Sequence, residues 1–201
     1  MQKMKKVFTI ALLLAAAMSI NAQEVSSKAK AVRMLAYARS EYQVKDVKVY
    51  ADTMTVFSLA DQPIYPFGKW ATVEQFITNN QLHWYRKSGY KTFYDTMTVA
   101  VNTLERLDGS NINFYRSIWT SKLEMVAARI TDTAIALDNG IHVGMSKADV
   151  FKTIFKSFPK SYTSDIRVLK VIAGAAEVGE VYTFKGDKLK LIQVVSKYKY
   201  Y

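Results

Sequence analysis

Asn139-Gly140-Ile141-His142-Val143-Gly144-Met145-Ser146-Lys147-Ala148-Asp149-Val150-Phe151 is the stretch whose reading decides the fold. Asn139-Gly140 is a turn pair, because glycine reaches positive φ without a steric penalty. Gly144 permits a close backbone approach. Ser146 followed three residues later by Asp149 is a helix start: the hydroxyl accepts from a free amide of the first turn, and the carboxylate suits the positive helix end. Val150, Phe151, Ile154 and Phe155 then form an apolar stripe at helical spacing. Phe158-Pro159 ends the helix.

Downstream of this unit the period changes to two. Ile166 to Ala176 reads as a strand, Glu177 to Glu180 as a turn around Gly179, and Val181 to Phe184 as the return. Lys185-Gly186-Asp187-Lys188 is a further turn. Leu189, Leu191, Gln193 and Val195 alternate with Lys188, Lys190 and Ile192 on the last strand.

Upstream, Thr72-Val73-Glu74-Gln75 is a capping box opening a second helix with Val73, Phe76 and Ile77 on its apolar face. Ser88-Gly89 reads as a turn. Thr92 to Thr131 reads as antiparallel sheet with a hairpin turn at Asp108-Gly109-Ser110-Asn111. Lys122 to Ile130 fits a strand or, by propensity, a helix, with the tight connection at Ser121 favouring the strand, and Thr133 to Leu137 fits a short strand. Val44 to Ser58 is strand-like with an interruption near Ala51-Asp52, and Asp61 to Gly68 is loop. Ser26 to Tyr42 has helical spacing. A helix followed by a hairpin-rich run thus occurs twice, and Asp-Thr-Met-Thr-Val recurs at 52–56 and 95–99.

Residues 139–150, together with Val181-Tyr182-Thr183-Phe184-Lys185-Gly186-Asp187-Lys188-Leu189-Lys190-Leu191-Ile192, resemble the beta-lactamase-inhibitor-like and SmpA/OmlA (BamE-like) families. Gly144, Met145, Ser146, Phe184, Gly186, Leu189 and Ile192 carry the match, which covers 137–196. The resemblance implies an α+β fold of tandem helix-plus-antiparallel-sheet repeats. The expected organisation is a signal peptide at 1–22, an N-terminal helix with a first, degenerate repeat at 23–136, and a second repeat at 137–201. BamE-like proteins are lipoproteins, and this chain lacks the lipid-bearing cysteine.

The N-terminus reads as a secretion signal. Lys3, Lys5 and Lys6 precede the apolar run Val7 to Met18, and Ala22-Gln23 offers a cleavage site. The leader is similar to those of exported proteins of Bacteroides-type bacteria. The expected location is periplasmic or secreted, with no integral membrane segment in the mature chain. The chain has no cysteine, so no disulfide is available in that oxidising compartment. Removing Lys3, Lys5 and Lys6 takes the net charge from +11 to +8. That excess suits an acidic protein or an anionic envelope component, and an exported protein is a poor candidate for nucleic acid.

Chemistry-bearing constellations are sparse. His83 and His142 are the two histidines, without a cysteine, so no metal site and no cofactor is expected. No Gly-x-Ser-x-Gly or phosphate-cradling glycine loop is present, so no catalytic residue is assigned. Asp52, Asp95, Asp108 and Asp132 are carboxylates a glycosidase would need in pairs, yet each neighbours a turn or strand end, where aspartate is common. Aromatic and basic residues interleave in the first half. Trp84, Tyr85, Arg86, Tyr115, Arg116 and Trp119 are the candidate binding surface, since aromatic and arginine anchors typify protein interfaces. The expected function is a non-enzymatic interaction protein. A binding module for an anionic envelope glycan or lipopolysaccharide, using Lys185, Lys188, Lys190 and Lys197, stands second. A cell-envelope hydrolase stands last.

Overall fold

The protein's structure, a computed structural model, describes residues 44–59, 65–80, 83–93, 97–117, 121–155, 164–173 and 178–196. The sequence-predicted helix at 26–42 and the leader lie outside those residues. Nine strands appear among the described residues: β1 Val44–Tyr50, β2 Thr53–Ser58, β3 Tyr85–Phe93, β4 Met97–Glu105, β5 Asn111–Arg116, β6 Leu123–Ile130, β7 Val168–Ala173, β8 Val178–Lys185 and β9 Lys188–Ser196. The described residues also form two helices, α1 Val73–Asn80 and α2 Lys147–Ile154, of eight residues each. Among the described residues no helix is long and apolar enough to cross a membrane.

All nine strands join one sheet in the order β1-β2-β7-β8-β9-β6-β5-β4-β3. Every pairing is antiparallel except β2 with β7, which runs parallel from Thr53 opposite Val168 to Ser58 opposite Ala173. This overturns the expected tandem helix-plus-antiparallel-sheet α+β repeats of the beta-lactamase-inhibitor-like kind. One large mixed sheet dominates, and the described helices are single short elements laid on it. The pairing of β6 with β9 (Ala127 opposite Val195, Ile130 opposite Ile192) joins the two halves of the chain edge to edge. Hydrophobic alternation specifies a buried face, but it does not specify which strand lies alongside.

One face of the sheet is the core face. Met54, Val56, Leu169, Val171, Tyr182, Phe184, Ile192, Val194, Ile130, Ile112, Phe114 and Leu104 are buried on it. α1 covers the β5 side: Phe76 is fully buried, with its ring 5.1 Å from Phe114 and 5.7 Å from Phe67. α2 buries Val150, Phe151 and Ile154, and Phe151 stacks 6.1 Å from Phe184. A sheet needs such a cover because an apolar face has to be removed from water.

The caps form as their sequences predict. Thr72 Oγ1 accepts from the Gln75 amide at 3.2 Å, and Gln75 Oε1 reaches back to the Ala71 amide at 3.1 Å. Ser146 Oγ accepts from the Asp149 amide at 3.1 Å and donates to the Asp149 carboxylate at 2.5 Å. The Ser146 hydroxyl is the main influence holding the Asp149 carboxyl below its ordinary range; burial opposes it, and Lys152 and Lys188 add to the lowering. Gly140 and Gly144 take φ of +81° and +92°. The stretch 139–151 also acts at long range. The Gly144 amide donates to the Leu189 carbonyl, the Leu189 amide donates to Met145, and the Lys147 amide donates to Asp187, each at 2.8–3.0 Å. The helix start is thereby fastened to the β8–β9 hairpin.

Four local expectations fail. Ser88-Gly89 is not a turn; it lies in the middle of β3. Glu177 to Glu180 is not a turn over its described part, because β8 begins at Val178 and Glu180 is fully buried, accepting from Tyr182 Oη at 2.6 Å. Thr133 to Leu137 contributes only an isolated bridge, Ala136 opposite His142. On the last strand a register shift at Thr183/Phe184 changes the alternation. Leu189 pairs with Phe184 and Leu191 with Thr183, so Leu189 is buried while Leu191 turns to the open face.

Candidate functional site

The strand at one end of the sheet is β3, which pairs only with β4 among the described strands. Its register is regular over all nine pairs, from Tyr85 opposite Glu105 to Phe93 opposite Met97. The side chains from Tyr85 to Tyr90 are all exposed, Tyr85 at 58% and Tyr90 at 81%. β3 reads Tyr-Arg-Lys-Ser-Gly-Tyr-Lys-Thr-Phe, with three cations and no acid.

Two of those cations touch carboxylates. Arg86 lies on the helix-covered face, where its Nη1 donates to Glu74 of α1, and its Nε and Nη2 donate to Asn102 Oδ1 at 3.0 and 2.8 Å. Ser88 Oγ donates to the same Asn102 oxygen at 3.1 Å. The Glu74 carboxyl is held below its ordinary range by its own backbone amide first and by Arg86 next. Lys87 lies on the open face and pairs with Glu105 at 2.7 Å.

Beside this strand sits a partly buried polar cluster. Arg106 donates to Asp132 Oδ2 through Nε at 2.9 Å and Nη2 at 2.5 Å, and to the His83 carbonyl at 3.0 Å. Its guanidinium lies 5.6 Å over the Trp84 ring. Ser110 is buried and donates to Asp108 Oδ2 at 2.7 Å, while the Thr131 and Asp132 amides donate to Ser110 Oγ at 3.0 and 3.1 Å. Burial alone would raise the Asp108 carboxyl. Hydrogen bonds from the Ser110 hydroxyl and amide and from Thr131, with Arg106 nearby, outweigh it and hold the group below its ordinary range. Among the described residues no group of three His, Cys, Asp or Glu is arranged to hold a metal ion.

No family model and no curated protein matches the chain. Among solved structures it is similar to the uncharacterized protein yfeY from Escherichia coli, at 16% identity and a TM-score of 0.32, covering 65% of this chain and 93% of that one. At that TM-score the likeness fixes neither fold nor function.

The sequence-predicted surface residues occupy different environments. Trp84 is half-buried against the core, 6.2 Å from the Phe76 ring, and its buried Nε1 has no hydrogen-bond partner among the described residues. Tyr85 and Arg86 are exposed on opposite faces at the start of β3. Tyr115 is half-buried on β5 and donates its hydroxyl to Glu124. It faces Val101, and Val101 faces Gly89, so it lies about 13 Å further along the strands than Tyr85. Arg116 is exposed at the end of β5, and Trp119 lies outside the described residues. Tyr85 and Arg86 thus gather at the β3 end, joined by Lys87 and Tyr90. Tyr90 stands outside the six candidate residues, and the strand placement of Ser88-Gly89 puts it on the same exposed run as Tyr85. Asp108 and Asp132 do converge, but on Arg106 and Ser110, where they tie the β4–β5 turn to the end of β6.

Proposed function

We propose that the protein is an exported, non-enzymatic interaction protein, periplasmic or secreted, that binds a partner protein through the β3 end of its sheet. The observation that carries this reading is the uninterrupted exposure of Tyr85 to Tyr90 on a regular edge strand, with two tyrosines and two cations in that run. Tyrosine and arginine are enriched in interface cores, and contact there does not require deforming the fold. The leader supports export. The use of Asp108 and Asp132 in turn-tying hydrogen bonds supports a structural role for two of the carboxylates a hydrolase would need.

A pull-down from envelope extract tests it. The wild-type chain is expected to retain a saturable partner that a Tyr85→Ala/Tyr90→Ala variant, folded by circular dichroism, loses. Equal retention by both overturns the assignment of the β3 end. An anionic glycan or lipopolysaccharide is the second reading, favoured by the exposure of Lys185, Lys188 and Lys190 around the β8–β9 turn. It requires binding that falls steeply with salt and with substitution of those lysines.

A further inference from the structure

We propose that the outer edge of β3 takes up an extended acidic segment of a partner protein as an added antiparallel or parallel strand. The proposal rests on the interaction reading above and names the chemistry of its partner. In a β-strand every second residue directs its amide and carbonyl to one side. On β3 one side is satisfied by β4, and no described strand satisfies the other. That edge, unpaired among the described strands, runs for nine residues, about 30 Å of chain, without proline and without a register shift. The opposite edge of the sheet differs. β1 is seven residues, its register breaks between Val44 and Asp46, and Asp46 sits among Lys45 and Lys48. A broken, mixed-charge edge is a poor template for pairing, whereas a long regular one is a good template.

Charge selects the occupant. Arg86, Lys87 and Lys91 make β3 wholly basic. A second copy added antiparallel about Gly89 would set Lys87 opposite Lys91 on both sides of the junction, and like charges directly opposite oppose pairing. The cations therefore guard the edge against its own kind. They also show what they accept: Arg86 and Lys87 already hold Glu74 and Glu105 from the same molecule. Both ion pairs are exposed, so their carboxylates exchange readily with those of an incoming chain. Tyr85 and Tyr90 fall on opposite faces of β3, so each face of an added strand has a ring to pack on.

The test uses the chain from Gln23 and a fluorescent ten-residue peptide alternating glutamate with valine and threonine, followed by anisotropy. Saturable binding is expected. Two isomers of the peptide, N-methylated at odd or at even positions, are expected to separate: one loses affinity by about tenfold or more because its pairing amides are blocked, and the other binds nearly as the parent does. This comparison uses the wild-type protein, so it does not depend on a variant folding. A Lys87→Glu/Lys91→Glu variant is expected to lose the acidic peptide and to gain its lysine-for-glutamate counterpart. No binding of the parent, or equal binding by the parent and both isomers, overturns strand addition. Heparin binding that the same variant abolishes, with the peptide ignored, overturns it in favour of a polyanion surface. If the peptide fails while the Tyr85→Ala/Tyr90→Ala variant still loses its envelope partner, the edge inference falls and the interaction reading stands.

Discussion

Replacing Arg106 with alanine should unfold the β3 end of the sheet more readily than any exposed charge change there. Arg106 is 21% exposed and Asp132 15%, so their ion pair is largely removed from water. Truncation removes two charge-assisted hydrogen bonds to Asp132, one to the His83 carbonyl and the guanidinium above Trp84. A hydrogen bond to a charged group is worth roughly 1.5–3 kcal/mol net, and breaking a fully buried pair costs roughly 3–5 kcal/mol. Asp132 is not fully abandoned, because Oδ1 still accepts from the Ala134 amide at 2.8 Å. The expected loss is therefore about 2–3 kcal/mol. For a chain of this size that corresponds to a Tm lower by roughly 5–10 °C. Urea unfolding followed by circular dichroism and by tryptophan fluorescence measures it. Lys87→Ala, which removes an exposed pair with Glu105, is the control and should cost under about 1 kcal/mol. A cycle with Asp132→Ala should show coupling, the double variant losing less than the two single losses added together. An Arg106→Ala variant within about 0.5 kcal/mol of wild type, or additive with Asp132→Ala, would refute the claim that this pair holds the turn to the sheet.

Four further outcomes follow from the geometry. Ser146→Ala removes the cap of α2 and should cost about 1 kcal/mol by urea unfolding, with Ser146→Asp recovering most of it. Gly89→Ala should be neutral or stabilising by up to about 1 kcal/mol, because Gly89 has no positive φ and a Cβ there meets nothing within 4 Å. Gly144→Ala, at φ +92°, should cost about 1–2 kcal/mol through backbone strain, since its Cβ makes only an ordinary 3.5 Å contact with Thr133; a Gly89 variant the more damaged of the two would contradict the strand placement. The Asp108 carboxyl has a lowered folded-state pKa, so its contribution to stability is present above its unfolded value near 3.8 and is lost as pH falls through the folded value. Asp108→Asn should therefore lower stability at neutral pH and flatten its decline on acidification below about pH 4; an unchanged acid limb would show that Asp108 is not one of the linked groups.

Much of the local structure is legible in the sequence alone. Gly140, Gly144, Thr72 and Ser146 act as turn and cap residues because their effects reach only three or four residues along the chain. The Asp108-Gly109-Ser110 turn and the Gly186-Asp187 turn were legible for the same reason. Ser88-Gly89 misled because the same dipeptide that closes a hairpin is tolerated in an edge strand, where a missing side chain leaves no void. The alternation of the last strand misled after Lys188 because one register shift moves Leu189 and Leu191 to different faces.

The candidate site was legible as composition and not as place. Aromatic and basic residues in 84–119 were evident from the sequence. It took the fold to turn Trp84 toward Phe76, to tie Tyr115 to Glu124, and to leave Tyr85, Arg86, Lys87 and Tyr90 on the strand that ends the described sheet.

By itself the sequence determined the turns, the caps, the period-two strands and the basic charge, since these depend on nearest neighbours and on counts. Only the tertiary structure decided that the strands form one mixed sheet and that β3 ends it. The β2–β7 pairing joins Thr53 to Val168 across most of the chain, and its energy lies in backbone hydrogen bonds common to every strand. Side-chain pattern marks which face of a strand is buried, but the choice of neighbour belongs to the competition among all strands for the same sheet.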